Sequence, residues 1–172
     1  MALKRARAVK MNLPTLAKVM RDRDALRSLP DFNARKRAQF LNAWTKVAAW
    51  EGIRAEINDD DLWFGALRKL LPAYVGDGAE LCRGQQADKP VGMSWSRGWH
   101  IAEGFALYGS AVPREQRIAK RRPNPVVLMA TVPASEILCA PCLLGHKEGE
   151  YIIDPRRVVI DRRVALTTTV DA

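Results

Sequence analysis

AELCRGQQADKPVGMSWSRGWHIAEGFAL, residues 79–107, is where the texture of the chain changes. Its first run, AELCR (79–83), and its second, VGMSW (91–95), are short, contain no helical stripe and are separated by Gly, Asp and Pro, the pattern of two strands joined by a turn. GWHIAEGFAL (98–107) then places Ile101, Ala102, Phe105 and Ala106 on one side at helical spacing. Strand, strand, short helix is a unit that fits neither an all-helical bundle nor a regular βαβ alternation.

Upstream the chain is helical. Residues 14–29 repeat Leu16, Val19, Met20 and Leu26, with Pro14 suited to a first turn and Pro30 ending the segment. NARKRAQFLNAWTKVAAWEG (33–52) puts Phe40, Leu41, Trp44, Val47 and Ala48 on one stripe, with Asn33 as N-cap and Gly52 as stop. NDDDLWFGALRKLLPAY (58–74) opens with Asn58 and three Asp at the positive end of a helix dipole and aligns Trp63, Ala66, Leu67, Leu70 and Leu71. Downstream, after the basic loop VPREQRIAKRRPNP (112–125), come VVLMATV (126–132), SEILC (135–139), EYIID (150–154) and the β-branched tail 157–170. Helices first and mostly antiparallel strands after them predict an α+β fold. The expected organisation is one compact domain, with residues 1–57 a helical segment packed on a core of residues 58–172.

Composition limits the function classes. At 172 residues and 48% hydrophobic the chain has enough apolar mass for a real core. Lys plus Arg is 28 against 19 for Asp plus Glu, so a formal charge of +9 favours acidic or polyanionic partners. The basic N-terminus is followed by no apolar run of signal-peptide or membrane-span length, which predicts a soluble, cytoplasmic protein, or one delivered into a target cell by an apparatus that needs no such signal. Three cysteines, Cys82, Cys139 and Cys142, are too few and odd in number for a disulfide framework. Cys139, Cys142 and His146, with Cys82 as a fourth ligand, form the nearest approach to a zinc set, but Cys139 closes an apolar strand and no metal is expected. Phosphate loops, a His-Glu-x-x-His helix and a Gly-x-Ser-x-Gly elbow are missing from the sequence.

Three fragments carry chemistry when taken in order. Arg83 and Gly84 end the first strand, Ser94 and Ser96 flank Trp95 on the second, and GHKEGEYIIDP (145–155) brings Glu148 and Glu150 to the mouth of a later strand. In an extended chain residues i and i+2 share a face, so the two serines point together and so do the two glutamates. Alone, Glu-x-Glu is a solvated surface pair.

In that order and context the chain resembles the R-S-E class of mono-ADP-ribosyltransferases, which includes cholera-toxin-like toxins and vertebrate ecto-enzymes. The family carries an Arg-Gly on its first strand, a Ser-Thr-Ser-type motif before a helix, and a Gln/Glu-x-Glu motif after an acceptor-recognition turn. CRG, SWSRGWHIAEGFA and EGEYIIDP match over about residues 79–160; Trp95 replaces the middle Thr, and Ser94 follows Arg83 by only 11 residues, a short link for the family. The resemblance implies a split antiparallel β-sandwich with N-terminal helices and an enzyme that moves ADP-ribose from NAD onto a macromolecule, releasing nicotinamide without a metal. By resemblance Glu150 stabilises the ribosyl cation, Ser94 fixes Glu150, Arg83 holds NAD phosphates, Gly84 admits the nicotinamide amide, and Ser96, Trp95 and Phe105 line the cofactor site. Glu148 implies a protein arginine as acceptor, since a guanidinium must be held by an anion and relieved of a proton before it attacks. LCAPCLLGHK (138–147) takes the place of the recognition turn. The basic loop Arg114, Arg117, Lys120, Arg121, Arg122 grips an acidic face or phosphates, or is simply solvated. RNA or DNA as acceptor, NAD hydrolysis, and a basic nucleic-acid-binding domain without catalysis are the rival readings. A toxin, a phage-encoded effector and a defence protein all fit the sequence.

Overall fold

The computed structural model describes residues 13–46, 50–109, 121–141 and 149–166. The chain divides into two compact units, the first running to Leu71 and the second starting at Pro72. The helical unit thus extends 14 residues beyond residue 57, where the expected helical segment ends.

The first unit is helical: α1 (Leu13–Met20), α2 (Arg23–Arg27), α3 (Ala34–Trp44), α4 (Trp50–Ile57) and α5 (Asp60–Leu70). Helix α5 belongs here because α2, α3 and α4 all pack against it and its apolar stripe of Trp63, Ala66, Leu67 and Leu70 is buried. Two of the expected helices are each broken in two. The carboxylate of Asp22, in an extended conformation, accepts hydrogen bonds from the amides of Asp24 and Ala25 and so stops α1 and starts α2. Asn33 caps α3 as expected, accepting from Lys36 N, but α3 stops at Thr45 and Gly52 lies inside α4 instead of ending a helix. Val47 and Ala48 lie outside the described residues. The buried carbonyl of Trp44 at the end of α3 is taken by the indole N–H of Trp50 at 2.8 Å, and the two rings stack with centroids 4.2 Å apart. Arg54 and Asp60 then tie α4 to α5 through paired bonds of 2.8 and 2.7 Å.

Among the described residues the second unit is a sheet with one α-helix on it. Its elements are β1 (Ala79–Gln86), β2 (Ser94–Ser96), α6 (Trp99–Tyr108), β3 (Pro125–Val132), β4 (Ile137–Cys139), β5 (Glu150–Ile153) and β6 (Arg162–Ala165), with single 3₁₀ turns at Ala134–Glu136 and Pro155–Arg157. All pairings are antiparallel and the strand order is β4-β5-β2-β1-β3-β6. The α+β class is thus as expected. β1 is longer than AELCR and β2 shorter than VGMSW, and of the β-branched tail only Arg162–Ala165 is strand, residues 167–170 lying outside the described residues.

Alternation along the strands sorts the two faces. Leu81, Trp95, Leu128, Tyr151 and Ile153 form one apolar cluster; Cys82 and Val127, on the other face, pack with Ala102 and Ala106 of α6. β1 pairs with β3 over its whole length, from Ala79↔Val132 to Gln86↔Pro125. With β2 it shares one pair, Cys82↔Ser96. The sheet therefore consists of two three-stranded ribbons, β4-β5-β2 and β1-β3-β6, joined at a single point.

Candidate active site

Arg83, Ser94 and Glu150 come together at that joint, one from each of β1, β2 and β5. Antiparallel register sets Ser96 opposite Glu150 and Ser94 opposite Ile152, so Ser94 and Glu150 are diagonal neighbours on one face. The Ser94 hydroxyl donates to Oε1 of Glu150. On the other side of the same residue, the Ser94 carbonyl accepts from Nη1 of Arg83 at 2.6 Å. Ser94 is a bridge: its side chain holds the carboxylate and its backbone holds the guanidinium. Continuing the Cys82↔Ser96 register would set Gly84 opposite Ser94; the ladder stops before that, and the Arg83 side chain takes the Ser94 carbonyl instead. A backbone acceptor left at a strand end needs such a partner.

All three residues are half-buried, enclosed enough for charge effects to be felt and open enough to meet a ligand. Nε of Arg83 donates to Oε1 of Gln85 at 2.9 Å, and Nε2 of Gln85 donates to the Lys89 carbonyl at 2.8 Å. Gln85, 5% exposed, was not singled out in the sequence. The strand expected from sequence ends at Arg83, whereas β1 runs on to Gln86, and only that extension puts Gln85 on the same face as Arg83.

Other expected site residues have different work. Trp95 is 2% exposed, inside the core cluster, with its indole N–H on the Gly92 carbonyl at 2.9 Å, so it cannot stack on a ligand. Ser96 is buried, and its Oγ accepts from the amide of Gly98 at the entry to α6; it shapes a turn. At Gly84 an added Cβ would overlap the carbonyl oxygen of Ala102 and stand 2.5 Å from the Ala106 nitrogen, so the missing side chain makes room for the α6 backbone, not for nicotinamide. Phe105 is half-buried on α6, and Trp99, at the first position of that helix, is the tryptophan of this unit that reaches solvent.

Glu148 lies outside the described residues, as do Cys142, His146, Arg114, Arg117 and Lys120. β5 begins at Glu150, and Gly149 before it has φ +57°, a left-handed conformation that suits glycine. Arg122 and Arg121 of the basic loop are engaged at the end of α6, where the Arg122 amide donates to the Leu107 carbonyl at 2.8 Å and Arg121 Nε to the Tyr108 hydroxyl at 3.3 Å. Cys82 and Cys139 lie on β1 and β4, three inter-strand steps or about 14 Å apart, too far to share a metal. No cluster of metal-ligating groups exists among the described residues. Burial, followed by the charge of Glu80, pushes the Cys82 thiol up. No helix among the described residues is long and apolar enough to cross a membrane. The chain matches no protein-family model, no curated protein and no solved structure.

Proposed function

We propose that the protein is an NAD-dependent mono-ADP-ribosyltransferase whose second unit is a split antiparallel sheet of the R-S-E type. The observation that carries this reading is the bridge through Ser94, with Glu150 on its hydroxyl and Arg83 on its carbonyl. Three of the four residues that the resemblance assigns to the site, 11 and 56 positions apart, are joined through Ser94. The parting of the two ribbons beyond Cys82↔Ser96 is the place for the dinucleotide.

In the reaction the bond from ribose C1′ to the nicotinamide nitrogen breaks, and its electron pair leaves with nicotinamide as the neutral base. Positive charge then develops on the ribosyl ring, as in glycoside cleavage. The Glu150 carboxylate faces that charge and stabilises it more in the transition state than in NAD itself. Ser94 fixes one carboxylate oxygen and so sets the rotamer beforehand. Arg83, permanently charged and planar, takes the phosphate oxygens. An acceptor nitrogen or oxygen attacks C1′ and gives up its proton; Glu148 is the base for this step, and its carboxylate favours a protein arginine.

Nicotinamide release and transfer of labelled ADP-ribose test the reading. Glu150→Gln keeps the size of the side chain and removes the charge, so turnover falls by roughly 10²–10³-fold. Equal activity in both proteins ends the proposal.

A further inference from the structure

We propose that Gln85 is a positioning residue for Arg83, fixing the direction in which the guanidinium meets the phosphates of NAD; this rests on the transferase reading above. Two observations carry it. Gln85 is 5% exposed, and both ends of its amide are used: Oε1 accepts from Arg83 Nε at 2.9 Å, and Nε2 donates to the Lys89 carbonyl at 2.8 Å. The carbonyl of Lys89 only accepts and the Nε–H of Arg83 only donates, so one orientation of the amide satisfies both. Glutamate cannot do this, because it has no donor for Lys89, and its charge would offset that of the arginine.

The second observation is where the amide leads. Lys89 lies in the link between β1 and β2, residues 87–93, and Ser94 follows Arg83 by only 11 positions. A short link has little chain with which to build contacts around a bound dinucleotide. Gln85 makes up for this by tying the link to the guanidinium from within. With Nε held by Gln85 and Nη1 by the Ser94 carbonyl, the plane of the guanidinium is fixed before substrate arrives. An arginine that is not held must give up side-chain freedom on binding.

The test combines kinetics with a measurement that needs no turnover. In the wild type the Nε–H signal of Arg83, identified by its loss in Arg83→Lys, exchanges slowly with solvent. In Gln85→Leu that protection disappears and the KM for NAD rises about tenfold while kcat is nearly unchanged. In the Arg83→Lys background the same substitution adds nothing to KM. Gln85→Glu, nearly isosteric, guards against a Gln85→Leu protein that does not fold, and it too raises KM for NAD. If NAD is cleaved normally while both variants leave KM and the Arg83 exchange unchanged, the role of Gln85 is wrong and the transferase reading stands. A lowered kcat and melting temperature with KM unchanged in both variants likewise overturns the positioning role. A wild type that neither binds nor cleaves NAD overturns the transferase reading and this inference with it.

Discussion

At the scale of single residues the protein separates chemistry from support. Arg83, Ser94 and Glu150 are linked to one another, whereas Trp95 and Ser96, their neighbours in sequence, are spent on core and turn. Gly84 is the sharpest case. An added methyl group there meets the backbone of α6, which cannot rotate away as a side chain can. Gly84→Ala therefore lowers stability by about 1–3 kcal/mol, measured by urea unfolding, whatever it does to activity. That Arg83, Ser94 and Glu150 belong together was legible because their types are chemically demanding and their order is unusual. The role of Gly84 was not, since a glycine beside a ligand and a glycine beneath a helix look identical in a sequence. Glu148 offers a separate prediction. If it takes the proton from an arginine acceptor, Glu148→Gln abolishes transfer of label yet leaves slow nicotinamide release to water, measured on the same samples.

Elements show how local bonds outrank periodicity. The apolar repeat ran through residues 14–29 without interruption, but the Asp22 carboxylate competes for backbone amides and the helix restarts. The same rule applied to Asn33 and to the aspartates before α5 gave correct starts, each carboxyl or amide oxygen accepting a backbone amide of the first turn. Asp59 accepts from the Leu62 amide at 3.0 Å, and Asp59→Ala costs about 1 kcal/mol in an unfolding titration. On β1, the Cys82 thiol is held up by burial and by Glu80, so the folded protein keeps it neutral when the unfolded chain already ionises. Its stabilising contribution is complete below the ordinary thiol value and is lost as pH rises through the raised folded value. The stability difference between wild type and Cys82→Ala accordingly shrinks with rising alkalinity, read from urea midpoints across that range.

On the scale of the whole molecule, fold class was legible from the order of helices and strands, but the division was not. Helix α5 stands next to the sheet in sequence, yet its stripe is covered by α2, α3 and α4, a long-range choice that spacing cannot reveal. Charge gives the remaining prediction. A formal +9 draws any polyanion, so weak, salt-sensitive binding to nucleic acid is expected and does not identify the acceptor. If protein arginine is the acceptor, protease removes the label from a treated lysate and nuclease does not; the reverse outcome assigns the acceptor to nucleic acid. Finally, the sheet behaves like a book whose spine is one residue pair wide, Cys82 facing Ser96. Arg83 is printed on one page, Ser94 and Glu150 on the other, and the bond from the Arg83 guanidinium to the Ser94 carbonyl is a stitch across the fold beside that pair. Cutting that stitch would leave the two pages held by a single pair of the ladder.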